Sequence, residues 1–152
     1  MKQILNLLSI FSIILFQNCN LNDCGQACFT PPNSFQFEFV DATTNENLFI
    51  NNTFNKNEIQ VINLTDNKNI DFTFIDENDY NILSINSISW QTETVEYSLK
   101  IADKDILTLY VDADAKRVNE NCCSFTHFEE IRIENSNYTF DNTNGIYTIL
   151  ID

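Results

Sequence analysis

From Ser34 to Asp41 the chain reads Ser-Phe-Gln-Phe-Glu-Phe-Val-Asp, with phenylalanine on every second position. Successive side chains of a strand leave by opposite faces, so a period of two marks an extended segment with one face in a core. Phe35, Phe37 and Phe39 are expected to point into one interior. The same signature returns at Leu48 to Ile50, Ile59 to Asn63, Ile70 to Ile75, Ile82 to Trp90, Val95 to Ile101, Ile106 to Asp112, Thr126 to Ile133, Tyr138 to Phe140 and Ile146 to Ile151. Polar runs such as Thr43-Thr44-Asn45-Glu46-Asn47 and Asp76-Glu77-Asn78-Asp79 separate these segments. No stretch of about ten residues or more carries helical periodicity. Many short strands with turn signals between them predict an all-β fold, a single antiparallel β-sandwich spanning residues 34–152.

Glycine bears on how such a chain turns. With only 2 glycines in 152 residues, turns that need positive φ must fall on Asn and Asp, which tolerate that region better than other side chains. Asn144-Gly145, between Tyr138-Thr139-Phe140 and Ile146-Tyr147-Thr148-Ile149, is the strongest hairpin signal in the chain and predicts that the last two strands pair. Asn142 and Thr143 lengthen that loop. The Asn-x-Thr triplets at Asn51, Asn63 and Asn137 read as loop chemistry.

The N-terminus has a different pattern. Met1-Lys2-Gln3 is followed by Ile4 to Phe16, apolar except for Asn6, Ser9 and Ser12. This is the layout of a secretory signal, and it is shorter than the roughly 20 apolar residues a spanning helix requires. Two processing points suggest themselves. Cleavage after Gly25-Gln26-Ala27 leaves Cys28, Cys122 and Cys123, an odd set for an oxidising compartment. Cleavage before Cys19 leaves that residue as the new terminus and four further cysteines, an even set. Leu15-Phe16-Gln17-Asn18-Cys19 resembles the lipobox of bacterial lipoproteins, in the relaxed form found in Bacteroidota. The resemblance implies a signal peptide over residues 1–18, acylation of Cys19, a cysteine-containing tether over residues 19–33, and attachment to the outer membrane, with the periplasmic face preferred. Phe35-x-Phe-x-Phe-Val-Asp-x-x-Thr-Asn-x-Asn-Leu is similar to the opening of transthyretin-like and immunoglobulin-like bacterial sandwiches, with Asn45 where that pattern has glycine. The whole chain resembles the small lipoproteins of Flavobacteria and their relatives, a likeness that implies a fold and an address but no activity.

Charge narrows the partners. Removing residues 1–18 takes away one charged residue, Lys2, and leaves 134 residues with a net charge of −15 against −14 for the full chain. So acidic a surface repels nucleic acid and anionic headgroups, so membrane association has to come from the lipid. Cys24, Cys28, Cys122 and Cys123 allow three connectivities. Joining the neighbours Cys122 and Cys123 would close a strained ring. The other two connectivities both tie the tether to the region before the Thr126 strand, closing a loop of roughly 95 residues for about 4 kcal/mol. Disulfides are preferred over a four-thiolate zinc site or a redox pair, because Cys24-x-x-x-Cys28 lacks the CxxC spacing of either.

The remaining candidates are weaker. His127 is the only histidine. It lies four residues after Cys123, about 13 Å along a strand, too far for a local Cys/His pair. Asp76, Glu77, Asn78 and Asp79 offer consecutive oxygen donors to a calcium ion, and Asp112 and Asp114 offer a further pair. The latter two would lie about 7 Å apart on one strand face, a spacing a hydrolase could use. Trp90 is expected in the core; exposed instead, it could form a glycan platform with Tyr97 or Tyr80. No P-loop or dinucleotide fingerprint fits so few glycines. The sequence therefore predicts a lipid-anchored envelope β-sandwich without enzymatic activity or obligatory cofactor, serving as a binding or accessory module for an envelope protein or glycan. A glycan- or calcium-recognition protein is the alternative, and a hydrolase the third.

Overall fold

The computed structural model describes residues 28–29, 34–77, 80–114, 123–124 and 126–152. The strands are β1 (Cys28–Phe29), β2 (Phe35–Asp41), β3 (Ile59–Asn63), β4 (Lys68–Asn69), β5 (Thr73–Ile75), β6 (Ile82–Ile85), β7 (Glu93–Ile101), β8 (Lys104–Asp114), β9 (Cys123–Ser124), β10 (His127–Glu134), β11 (Asn137–Asp141) and β12 (Ile146–Ile151). One turn of 3-10 helix, Lys56–Glu58, precedes β3. Among the described residues no helix is long and apolar enough to cross a membrane.

Two five-stranded sheets pack face to face. One runs β10-β8-β7-β3-β4 and the other β11-β12-β2-β6-β5. The expected all-β sandwich is the fold. Its pairing departs from the expectation at one place, since β12 lies parallel to β2, with Tyr147 beside Phe37 and Ile149 beside Phe39. The last strand fills the space beside the first along the same direction, so the sheets are antiparallel elsewhere and parallel there.

Alternation builds the core. Phe35, Phe37 and Phe39 of β2 are buried, as their spacing requires. On β8, Leu107, Leu109, Val111 and Ala113 point inward while Thr108, Tyr110, Asp112 and Asp114 take the outer face. Val95, Tyr97, Leu99 and Ile101 of β7 lie inside the same sheet, paired across to β8. Phe39, Phe49, Phe54 and Phe74 close one end of the core through edge-on ring contacts at 4.8 to 5.8 Å, an arrangement aromatic quadrupoles favour.

Turn chemistry follows the scarcity of glycine. Asn45, Asn52, Asn67 and Asn135 all take positive φ, joined by Ser89 and Ala102. Asn45, at φ 60°, makes the turn after β2 in the left-handed region. The final hairpin forms as predicted: β11 pairs antiparallel with β12, Gly145 sits at φ 74°, and its N–H donates to the Asp141 carbonyl at 2.8 Å.

Several boundaries differ from the periodicity. Leu48 to Ile50 is a turn, because the Asn47 side-chain oxygen accepts from the N–H of Phe49 (3.0 Å) and Ile50 (3.3 Å) and curls the backbone. Leu48 and Phe49 still reach the core, which is why they read as a strand. The segment from Ile70 contributes only Thr73–Ile75, and the one from Ile82 stops at Ile85. Asn51 and Asn63 make the expected loop bonds, their side chains accepting from Thr53 and Thr65, but Asn137 opens β11 instead.

A separate two-stranded sheet pairs β1 parallel with β9 and places Cys28 in register with Cys123. Cys19, Cys24 and Cys122 lie outside the described residues, as does the signal segment.

Candidate functional site

Three depressions among the described residues bear on function. The largest, about 650 Å³, is lined by Lys104, Asp105, Asn137 and Asp152 and is mainly polar. A second, about 490 Å³, surrounds Asn55, Lys56 and Asp76, and Lys56 and Asp76 form an ion pair there. The third is an open groove of about 390 Å³ where β10 and β11 meet, and its lining is mostly apolar. None of the described residues lining it carries a carboxylate, imidazole or thiol.

Register explains the groove. Phe128, Ile131 and Ile133 of β10 pair with Ala113, Val111 and Leu109 of β8, all buried, so they belong to the inner face. Tyr138 and Phe140 of β11 pair with Ile149 and Tyr147 of β12, again inward positions. Both β10 and β11 end their sheets on the same side of the sandwich. Among the described residues no further strand lies over the inner-face side chains there. Ile131 is 36% exposed, Tyr138 42% and Phe140 43%.

The floor is an aromatic array. Phe140 stacks on Tyr147 at 4.3 Å, Tyr147 stacks on Phe37 at 5.6 Å, and Phe35 meets Phe128 edge-on at 5.6 Å. Burial, with the neighbouring Tyr138 adding to it, holds the Tyr147 phenol above the usual tyrosine pKa, so it is a neutral hydrogen-bonding group. Gln36 and Asn144 add polar groups at the rim. Such a surface can cover apolar groups and stack on flat ones. It offers no proton-transfer pair.

The sequence-derived candidates lie elsewhere and apart. Trp90 is not in the core: it is 57% exposed, its indole N–H donating to the Asn86 carbonyl at 2.8 Å. The cause is the turn after β6, where Ile88 takes the inward place and Ser89, at φ 71°, sends the next residue out. Tyr97, proposed as its partner in a platform, is 5% exposed on β7. Burial raises its pKa, with a Ser87 hydrogen bond opposing the shift. Of the calcium candidates, Asp76 pairs with Lys56, which lowers its pKa, while Asn78 and Asp79 lie outside the described residues. Glu77 is exposed. Asp112 and Asp114 share the outer face of β8 and accept from the hydroxyls of Thr94 (3.0 Å) and Thr92 (3.2 Å). No group of three or more His, Cys, Asp or Glu among the described residues is placed to hold a metal. His127 is exposed on β10, 3.9 Å from Glu129.

Comparison with known proteins finds no matching family model, no matching curated protein and no matching solved structure. The groove residues therefore stand on geometry alone. Their sequence signal was the alternation of Tyr138 and Phe140, identical in kind to that of core strands. What periodicity does not carry is which strand ends a sheet.

Proposed function

We propose that this chain is a lipid-anchored β-sandwich of a bacterial cell envelope that acts by binding and not by catalysis. The observation that carries the binding role is the uncovered inner face of β10 and β11, where Ile131, Tyr138 and Phe140 stay exposed beside a buried aromatic floor. Contiguous apolar surface of this kind marks an interaction site in a soluble domain. The address rests on the Met1 to Phe16 signal pattern and on Cys19. The register of Cys28 with Cys123 supports a bridge between them, since strand partners lie within the Cα separation a disulfide spans. Cys24 and Cys122, which lie outside the described residues, would then be left as the second pair. Together they would staple the tether to the domain it carries.

The test is the intact mass of protein extracted from membranes, taken before and after reduction. The expected product begins at Cys19, carries acyl chains and gains mass on reduction for each bridge. An unacylated, fully reduced chain would overturn the reading.

A second reading, glycan recognition, is favoured by the exposure of Trp90 and Tyr80. The burial of Tyr97 removes one of the rings it relied on. A thermal-shift series with oligosaccharides, calcium and EDTA tests it, and no response to any of them would leave it without support.

A further inference from the structure

We propose that the groove between β10 and β11 takes an extended, basic polypeptide strand, which pairs along the free side of β11 and lays alternate apolar side chains on Phe140, Tyr138 and Ile131. This deepens the binding reading above and is independent of the lipid anchor.

The four edges of the sandwich differ. A strand edge is a template for another strand, and folded proteins guard theirs with brevity, lysine, proline, bulges or charge. Three edges here are guarded. β4 has two residues, one of them Lys68, and β5 has three. β10 is interrupted by a bulge between Phe128 and Glu130, and its outer face carries Glu130, Arg132 and Glu134. β11 has no lysine, proline or bulge, and its one charge, Asp141, stands at its end. Its five residues, Asn137-Tyr138-Thr139-Phe140-Asp141, pair with β12 in unbroken register, and among the described residues its other side has no strand. All five are exposed.

The side-chain face beside β11 is suited to such a strand. A strand added beside β11 would present every second residue to the inner face, where Tyr138 and Phe140 are uncovered and Ile131 stands across the gap. Main-chain bonds would give affinity, and the aromatic floor would select apolar side chains at alternate positions.

Charge selects the occupant. The chain carries a net charge of −14, Asp141 closes β11, and Arg132, on the outer face of β10, is already held by Glu130 (2.9 Å) and Glu134 (3.1 Å). A second copy of this chain would bring a further net charge of −14. Lysine or arginine on the solvent side of the incoming strand is what so acidic a chain complements.

The experiment uses the full chain in detergent and three labelled synthetic peptides: one alternating Ile with Lys, one alternating Ile with Glu, and the first with prolines breaking its backbone pairing. Fluorescence anisotropy measures affinity, and hydrogen exchange measures protection of the β11 amides. The expected result is binding of the Ile/Lys peptide about tenfold or more tighter than the Ile/Glu peptide at low salt, loss of binding with proline, and slowed exchange within residues 137–141. Phe140→Ser should weaken binding about tenfold, since a truncated hot-spot ring commonly costs that much. The proposal is overturned by equal binding of the proline peptide, by absence of β11 protection, by a groove that responds only to neutral oligosaccharide, or by self-association that Phe140→Ser abolishes. Because the exchange measurement is made on the unaltered chain, a variant that fails to fold does not decide the matter. Intact mass at Cys19 reports the anchor separately.

Discussion

Phe37, Tyr147 and Phe140 form one row across a single sheet, on β2, β12 and β11 in turn. All three point to the inner face, and the rings stack at 5.6 Å and 4.3 Å. Phe37 is fully buried, Tyr147 half-buried, and Phe140 exposed by nearly half. The side chains are alike and the backbone is alike. What changes along the row is the cover supplied by the facing sheet, which ends at β10. The row shows a core that runs out from under its roof, and it separates two roles for the same residue type: Phe37 holds the fold together, whereas Phe140 has its apolar surface available to something else.

The largest effect expected is therefore a contrast between two truncations. Phe37→Ala removes a ring with no exposed surface and leaves a cavity, and it should lower unfolding free energy by about 3–5 kcal/mol. Phe140→Ala removes a ring that water already reaches, and it should cost about 1 kcal/mol or less. Urea unfolding of both variants measures the difference. Equal losses would mean that the β11 edge is part of the cooperative core, and the groove would lose its meaning as a free surface.

Much of the covered half of this comparison was legible in the sequence. Phe35, Phe37 and Phe39 announce an inward face because a strand has a strict period of two, and Asn144-Gly145 announces a hairpin because positive φ is cheap there. The uncovered half was not legible. Tyr138-Thr139-Phe140 carries the same alternation as β2, and nothing local states that β11 ends its sheet or that β12 returns parallel to β2. Those are consequences of topology. Trp90 shows the other failure: counting by twos from Ile88 places it inside, but the strand has already ended at Ile85 and Ser89 turns the chain outward. Leu48-Phe49 shows the converse, two buried apolar residues on a turn. Of the candidate site, the rings were visible as strand residues and their exposure was not.

A smaller pair of effects compares the turns on the two sides. Ala102, in the β7–β8 turn, takes φ 54°, and Gly145, in the β11–β12 turn, takes φ 74°. Ala102→Gly should relieve a left-handed alanine and stabilise by about 1 kcal/mol, while Gly145→Ala should lose a similar amount. A Cβ at Gly145 would meet nothing within 4 Å, so that loss reports backbone conformation alone. Thermal unfolding of the two single variants checks the signs. If Gly145→Ala leaves the melting temperature unchanged but alters peptide binding, the β11 hairpin unfolds apart from the rest, and the row from Phe37 to Phe140 spans two cooperative units.

The smallest effect expected is in acid, and it too compares the sides. Asp41 follows β2's last core position, and its carboxylate accepts from the N–H groups of Thr44 (2.8 Å) and Thr43 (2.9 Å). Asp141 ends β11 and accepts from the hydroxyl and the N–H of Thr143. These bonds stabilise the ionised form, so both carboxyls titrate below the ordinary 3.8: Asp41 chiefly through the Thr44 N–H, Asp141 chiefly through the Thr143 hydroxyl. A depressed folded-state pKa contributes stability that is complete above the unfolded value and disappears as pH falls through the folded one. Asp41→Asn and Asp141→Asn should each melt slightly below the unaltered protein at neutral pH. Each gap should stay constant down to about pH 4 and close below it. Because Asp141 is exposed and Asp41 only partly buried, solvent screens the interaction and the gaps will be small. A gap that instead widens in acid would mean the carboxyl is protonated more easily in the folded chain, and the turn would be held by something other than its Asp. If only the Asp41 gap appears, the β11 turn contributes nothing to global unfolding, and the exposed end of the aromatic row is also its least anchored end.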